Sequence, residues 1–214
     1  MDLTQGSLKE TGLSTDLAIE GNALFEVSKL ELDEDGNPVS GGMPVYTRAG
    51  TFQLVPHPAI PGEMVLATQD GYLLRNANED EDNPFISIPA GYDFQVNEYG
   101  QVFAYSPNAP EEGAQARGRV KVVEVVRPQL LQAIGDNQFV IPAGMDADQV
   151  VRGANPSPGL ESGIRIWQGM VEQANVDLTT EMTELLMVQR AFQLNARALS
   201  SADTMMSLAN RLRE

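Results

Sequence analysis

The sequence predicts a mainly β chain ending in one long α-helix, that is, an antiparallel barrel- or sandwich-like domain plus a terminal helix. Three observations carry this. All 19 glycines and 13 prolines lie before Met170, and these are the two strongest helix breakers. Earlier in the chain, short runs of β-branched and aromatic residues alternate with turn residues. From residue 175 onward, apolar residues recur every seven positions.

Taken in order, residues 1–20 are weakly patterned and read as an extended linker. A β domain follows over residues 21–150. Its strands are expected at 24–27, 30–32, 45–48, 51–54, 64–67, 72–74, 85–88, 93–96, 101–105 and 119–126, the last nearly all β-branched. Turn residues separate them: 33–38 (DEDGNP), the hairpin dipeptide Asp70-Gly71, and 97–100 (NEYG). Strands this short and evenly spaced suit an antiparallel, partly open barrel or sandwich. Three loops interrupt them. Residues 56–62 (PHPAIPG) read as an ordered excursion, while 78–84 and 106–118 are polar and read as mobile. Residues 151–174 have the glycine and proline content of a hinge and connector.

Residues 175–214 read as one helix, roughly 55 Å long at 1.5 Å per residue. Asn175 or Asp177 is expected to cap it, with Glu181 and Glu184 near the positive end of its dipole and Arg211 and Arg213 in the last turn. One column holds Leu178, Leu185, Phe192, Leu199 and Met206, and a second Ala191, Ala198, Met205 and Leu212. Thr183, Arg190, Arg197, Thr204 and Arg211 run opposite. The apolar columns span an arc of about 160°, wider than a two-stranded seam needs. The chain offers no second long helix to cover that face. The face either lies across the chain's own β domain or packs against helices of other chains, and the second is the reading expected here.

Composition excludes several classes of function. The chain has no cysteine, hence no disulfide framework and no thiolate metal site. No apolar run reaches membrane-spanning length, so no membrane insertion is expected. Residues 1–20 lack the basic start and apolar centre of a secretory signal. Residues 151–214 carry six arginines against seven acids, so −15 of the net −16 lies in residues 1–150. So acidic a domain does not bind nucleic acid by counterion release.

No catalytic, cofactor or metal motif stands out. The lone histidine, His57, is expected in a surface loop. Glu31, Asp33, Asp35 and Gly36 imitate half a calcium loop, but position twelve falls on Gly42 rather than a carboxylate, and a hairpin turn accounts for them. The acidic run at 79–82 reads as a solvated loop. The glycines at 91–100 and 113–118 lack the lysine and the strand-to-helix context of a phosphate loop. Trp167 reads as a packing anchor.

Several phrases, in order, resemble the bacterial flagellar hook–basal-body rod protein family, its distal-rod members above all. They are QGSLKETG at 5–12, DLAIEGN at 16–22, and Tyr46-Thr47-Arg48-Ala49-Gly50-Thr51-Phe52, similar to the family's YTRAGNF. IGDNQF at 134–139 follows. Last come QGMVEQ at 168–173 with Asn175-Val176-Asp177 and Gln189-Arg190-Ala191-Phe192, similar to its terminal QG-LE-SNVD…QRA(Y/F). Ala23-Leu24 departs from the usual Gly-Phe, and Ala174 stands where serine is common. Family members begin with a helix rich in Ser, Ala and Asn that pairs with the C-terminal one. Residues 1–20 hold none, so the chain is expected to lack that segment or to be an unusual member.

The resemblance implies a structural subunit, not an enzyme and without cofactors, in the flagellar basal body. Its partners would be copies of itself, other axial rod and hook proteins, and the export apparatus that carries it without a cleavable signal peptide. Residues 46–52 would maintain the β domain, and the helix would assemble. The rival readings are a carbohydrate-directed enzyme or binding module, which needs an acid pair on facing strands, and an assembly chaperone that forms a small complex and never polymerises.

Overall fold

A computed structural model describes residues 4–32, 38–39, 42–78, 83–108, 113–135, 137–154, 163–175 and 178–211. The chain divides into a β unit, Met1–Ala174, and a helical unit, Asn175–Glu214. In order, the strands of the first half are β1 (Leu8–Glu10), β2 (Leu17–Glu20), β3 (Ala23–Ser28), β4 (Glu31–Leu32), β5 (Pro38–Val39), β6 (Val45–Thr47), β7 (Gln53–Pro56), β8 (Glu63–Ala67) and β9 (Leu73–Leu74). There follow β10 (Ser87–Pro89), β11 (Asp93–Val96), β12 (Gln101–Tyr105), β13 (Gln115–Arg119), β14 (Val122–Val125), β15 (Gln132–Gly135) and β16 (Gln138–Val140). A short helix α1 (Ala147–Val150), capped by Asp146, leads to β17 (Val151–Gly153), β18 (Arg165–Gln168) and β19 (Met170–Glu172).

The β unit is built around β3, whose six residues are all buried. It is flanked by β6 on one edge and by β14 and β9, end to end, on the other, all antiparallel. Alternation along β3 sends Ala23, Phe25 and Val27 into the main core with Leu17, Ile19, Phe52, Leu66 and Ile166. Leu24 faces the other way, into a second cluster with Tyr46, Val123 and Val125. Burying a side chain of this size stabilises by about 1.5–3 kcal/mol. The Phe25 and Phe52 rings meet edge to face with centroids 5.4 Å apart, which adds about 0.5–1.5 kcal/mol. The largest sheet runs β10-β8-β9-β3-β6-β16-β15 and stays open.

The predicted series of strands is present, but three segments differ from the expectation. Where an extended linker is read at 1–20, β1 pairs β19 and β2 pairs β18. The residues read as hinge and connector thus supply those partners, and β17 pairs β14. Part of the stretch read as a mobile loop, 106–118, is β13, which extends β11 and β12 into a three-stranded sheet. Apart from β2, which is short and buried on both faces, these strands are at most partly buried on one or both faces and carry charges or glycine, so apolar alternation does not mark them. Their order comes from backbone pairing with distant partners. The turn at 33–37 and the acidic run at 79–82 lie outside the described residues.

The helical unit holds one unbroken helix, α2 (Leu178–Arg211), of 34 residues, about 51 Å long. Glu181 lies in its first turn. Thr183 and Thr204 donate back to the carbonyls of Thr179 and Ser200, which takes these hydroxyls out of competition for other partners.

Candidate assembly elements

The residues of the YTRAG-type phrase converge in the β unit, each held by a separate interaction. Tyr46 is buried in the second cluster. Burial, with the Glu26 carboxylate nearby and Arg75 opposing, pushes its phenol well above the ordinary tyrosine range. The folded state thus keeps the proton that the unfolded chain releases, and stability falls as pH climbs past about 10. Tyr46→Phe is expected to flatten that loss, read as the alkaline dependence of the unfolding midpoint. Thr47 donates its hydroxyl to the Asn137 carbonyl at 3.0 Å and accepts from the Ala49 amide at 3.1 Å. Gly50 is buried, and its carbonyl accepts from Leu17 at 2.9 Å.

Arg48 is the hub. Its Nε donates to Glu172 Oε2 at 2.6 Å, Nη1 to the carbonyls of Gly21 and Ala23, both at 2.7 Å, and Nη2 to that of Ile19 at 3.3 Å. A planar guanidinium thereby satisfies backbone acceptors at the corner between β2 and β3 and a carboxylate on β19. Sequence reading placed Arg48 in a family phrase but could not find its partners, because three of them are backbone carbonyls.

Other charged and polar groups are also tied up within the fold. Glu26 is buried between Arg75 at 2.9 Å and Lys121 at 3.3 Å. His57 is buried rather than in an exposed loop. Its Nδ1 accepts from the amides of Ala59 and Ile60 at 3.1 and 2.9 Å, so the ring caps the turn between the two prolines. Trp167 donates to Glu20 at 2.9 Å across the β2–β18 pair, consistent with an anchor. A polar cavity of about 320 Å³ is lined by Thr47, Thr51, Thr68, Asp70, Asn137 and Gln138 among others. Its one carboxylate, Asp70, accepts from the Gln138 amide at 2.6 Å, so this cavity lacks the acid pair that glycoside hydrolysis uses.

On α2, Leu185 is 57% exposed, Phe192 75% and Leu199 67%, with Met205 and Met206 at 66% each. Ala191, Ala198, Gln189 and Arg190 are exposed too. Leu178 opens the helix, and Asn175 is exposed before it. Val176, Asp177 and Leu212 lie outside the described residues. At 100° per residue the predicted columns share one face of the helix.

Comparison with known proteins gives the family. Residues 168–212 match the family described as Flagellar basal body rod FlgEFG protein C-terminal. The chain is 30% identical over 214 residues to the flagellar basal-body rod protein FlgG of Borreliella burgdorferi, covering 98% of this chain and 68% of that protein. It is also 30% identical to the flagellar hook-basal body complex protein FlhP of Bacillus subtilis, over 98% of this chain and 69% of that one. With FlgG of Caulobacter vibrioides the identity is 29%, over 98% and 68%. The chain therefore belongs to the flagellar basal-body rod protein family, whose members are structural proteins and not enzymes.

Proposed function

We propose that this rod-family subunit polymerises through its terminal helix. The β unit serves as the outward, charged body, and the helix packs against helices of other copies and of other axial proteins. The observation that carries this reading is the exposure of nearly every large apolar side chain described on α2, from Met182 to Met206. A helix with so wide an apolar face gains most of its stability by packing that face against partners. Leu178, Leu185, Phe192, Leu199 and Met206, with Ala191, Ala198, Met205 and Leu212, form the packing face. The alanines let neighbouring backbones approach. Head-to-tail contacts of this kind build open filaments. Delivery by the flagellar export apparatus completes the reading.

Circular dichroism and analytical ultracentrifugation test it, comparing the full chain with one ending at Ala174. The full chain is expected to gain helical signal as it associates, while the shortened chain stays monomeric and β-rich. Full helicity in a monomer at every concentration would assign the helix to its own chain instead.

A further inference from the structure

Strands β1 and β19 form a two-stranded stem at the end of the β unit. None of their residues belongs to the buried clusters among the described residues. Leu8, Met170 and Val171 are only half-buried. Polar contacts therefore have to hold the stem in place. Near Gly169 and Asp16, where the stem begins, Thr11 donates its hydroxyl to Asp16 at 2.6 Å and the Gly169 amide donates to the Asp16 carbonyl at 2.8 Å. At the far end the Gln5 side chain bonds the Ile19 carbonyl and the Gly21 amide at 3.3 and 3.0 Å. Between these ends stands one ion pair. Glu172 accepts from the Gly6 amide through Oε1 at 2.8 Å and from Arg48 through Oε2 at 2.6 Å. Both side chains are largely shielded, with 16% and 13% of their surface exposed.

We infer that the Arg48–Glu172 pair is a clasp that fixes the β1–β19 stem on the β unit, making Arg48 a positioning residue for assembly. The inference rests on the assembly reading above and adds to it a residue outside the helix. Glu172 is the last residue of β19, and α2 begins at Leu178. A stem free to swing would leave the segment leading into the helix without a fixed origin. Arg48 binds the stem with Nε and the β2–β3 corner with its two other nitrogens. Lysine keeps the charge but cannot reach four acceptors from one planar group. The corner needs these donors too, since the Gly21 and Ala23 carbonyls both receive the same Nη1.

Hydrogen exchange and sedimentation on the full chain test the clasp in Glu172→Gln and Arg48→Lys, with Arg48→Ala as the severe case. The amides of Thr11, Gly12 and Gln173, which donate to Gly169 and Ser7, are expected to exchange at least tenfold faster, while those of β3 and β14 keep their wild-type rates. Association is expected to fall in the same variants. Glu172→Gln leaves the β2–β3 corner untouched, so it remains informative if the Arg48 variants do not fold. Unchanged exchange of the stem amides would overturn the clasp. Equal loss across the β unit would make Arg48 a fold residue only, and faster stem exchange with unaltered association would break the link to assembly. If the wild-type chain never associates, the assembly reading fails by itself, and the exchange rates still decide the clasp.

Discussion

Gly50→Ala is expected to unfold the β unit. A Cβ on Gly50 would stand 1.5 Å from the Leu17 carbonyl oxygen, 2.7 Å from its carbon and 3.2 Å from Cε2 of Phe25. The first two obstacles are backbone and cannot rotate away. Moving residue 17 would break the hydrogen bond that the Leu17 amide donates to the Gly50 carbonyl and the bridge between Asp16 and Thr51. It would also displace the Leu17–Gln168 end of the β2–β18 pair. Moving residue 50 instead would pull on Arg48 and on Phe52, whose ring packs against Phe25. Ordinary overpacking costs about 1–3 kcal/mol because side chains adjust. Here no side chain can, so a loss well above about 4 kcal/mol is expected, of the size of the whole margin of about 5–15 kcal/mol that keeps a domain folded. Thermal melts followed in the β-sheet band measure it. A Gly50→Ala chain melting within a few degrees of wild type would show that the close approach at Leu17 is not a constraint.

That glycine marks the limit of what the sequence discloses. The phrase around it stood out, and strands with buried faces were readable, since β3, β8, β11, β12 and β14 are rich in apolar or β-branched residues. The helix was readable from the absence of breakers and the seven-residue columns. What stayed hidden was long-range and backbone-mediated. β1, β13 and β18 spell LKE, QARGR and RIWQ, and nothing local in such strings says that residue 8 will lie opposite residue 172. Three of the four partners of Arg48 are backbone carbonyls, which have no letter in the sequence, and the fourth, Glu172, lies 124 residues away. His57 looked like a loop histidine because its two partners are the amides of its own turn. The exposed apolar stripe of α2 was legible for the opposite reason. A periodic apolar stripe is written in side chains alone.

Leu185→Asp combined with Phe192→Asp is expected to abolish association and leave the β unit intact. The two side chains sit seven residues apart in one column, 57% and 75% exposed. Each would contribute about 1.5–3 kcal/mol on burial in a helical interface. Losing both weakens every contact by about 3–6 kcal/mol, or roughly two to four decades in dissociation constant, before the added cost of placing a carboxylate in that seam. Repetition along a filament compounds the effect, because each subunit meets several neighbours. The same residues bury no core of the β unit, whose clusters all lie within residues 17–166. Its melting temperature should therefore stay within a few degrees of wild type. Sedimentation velocity over a range of concentrations, paired with a thermal melt, reads both outcomes. Undiminished association with a folded β unit would move the assembly surface off the helix, whereas joint loss of association and of β structure would mean that the helix supports its own chain. Thr183→Asp combined with Thr204→Asp, both on the polar column, is the matched control, since it adds the same two charges outside the seam.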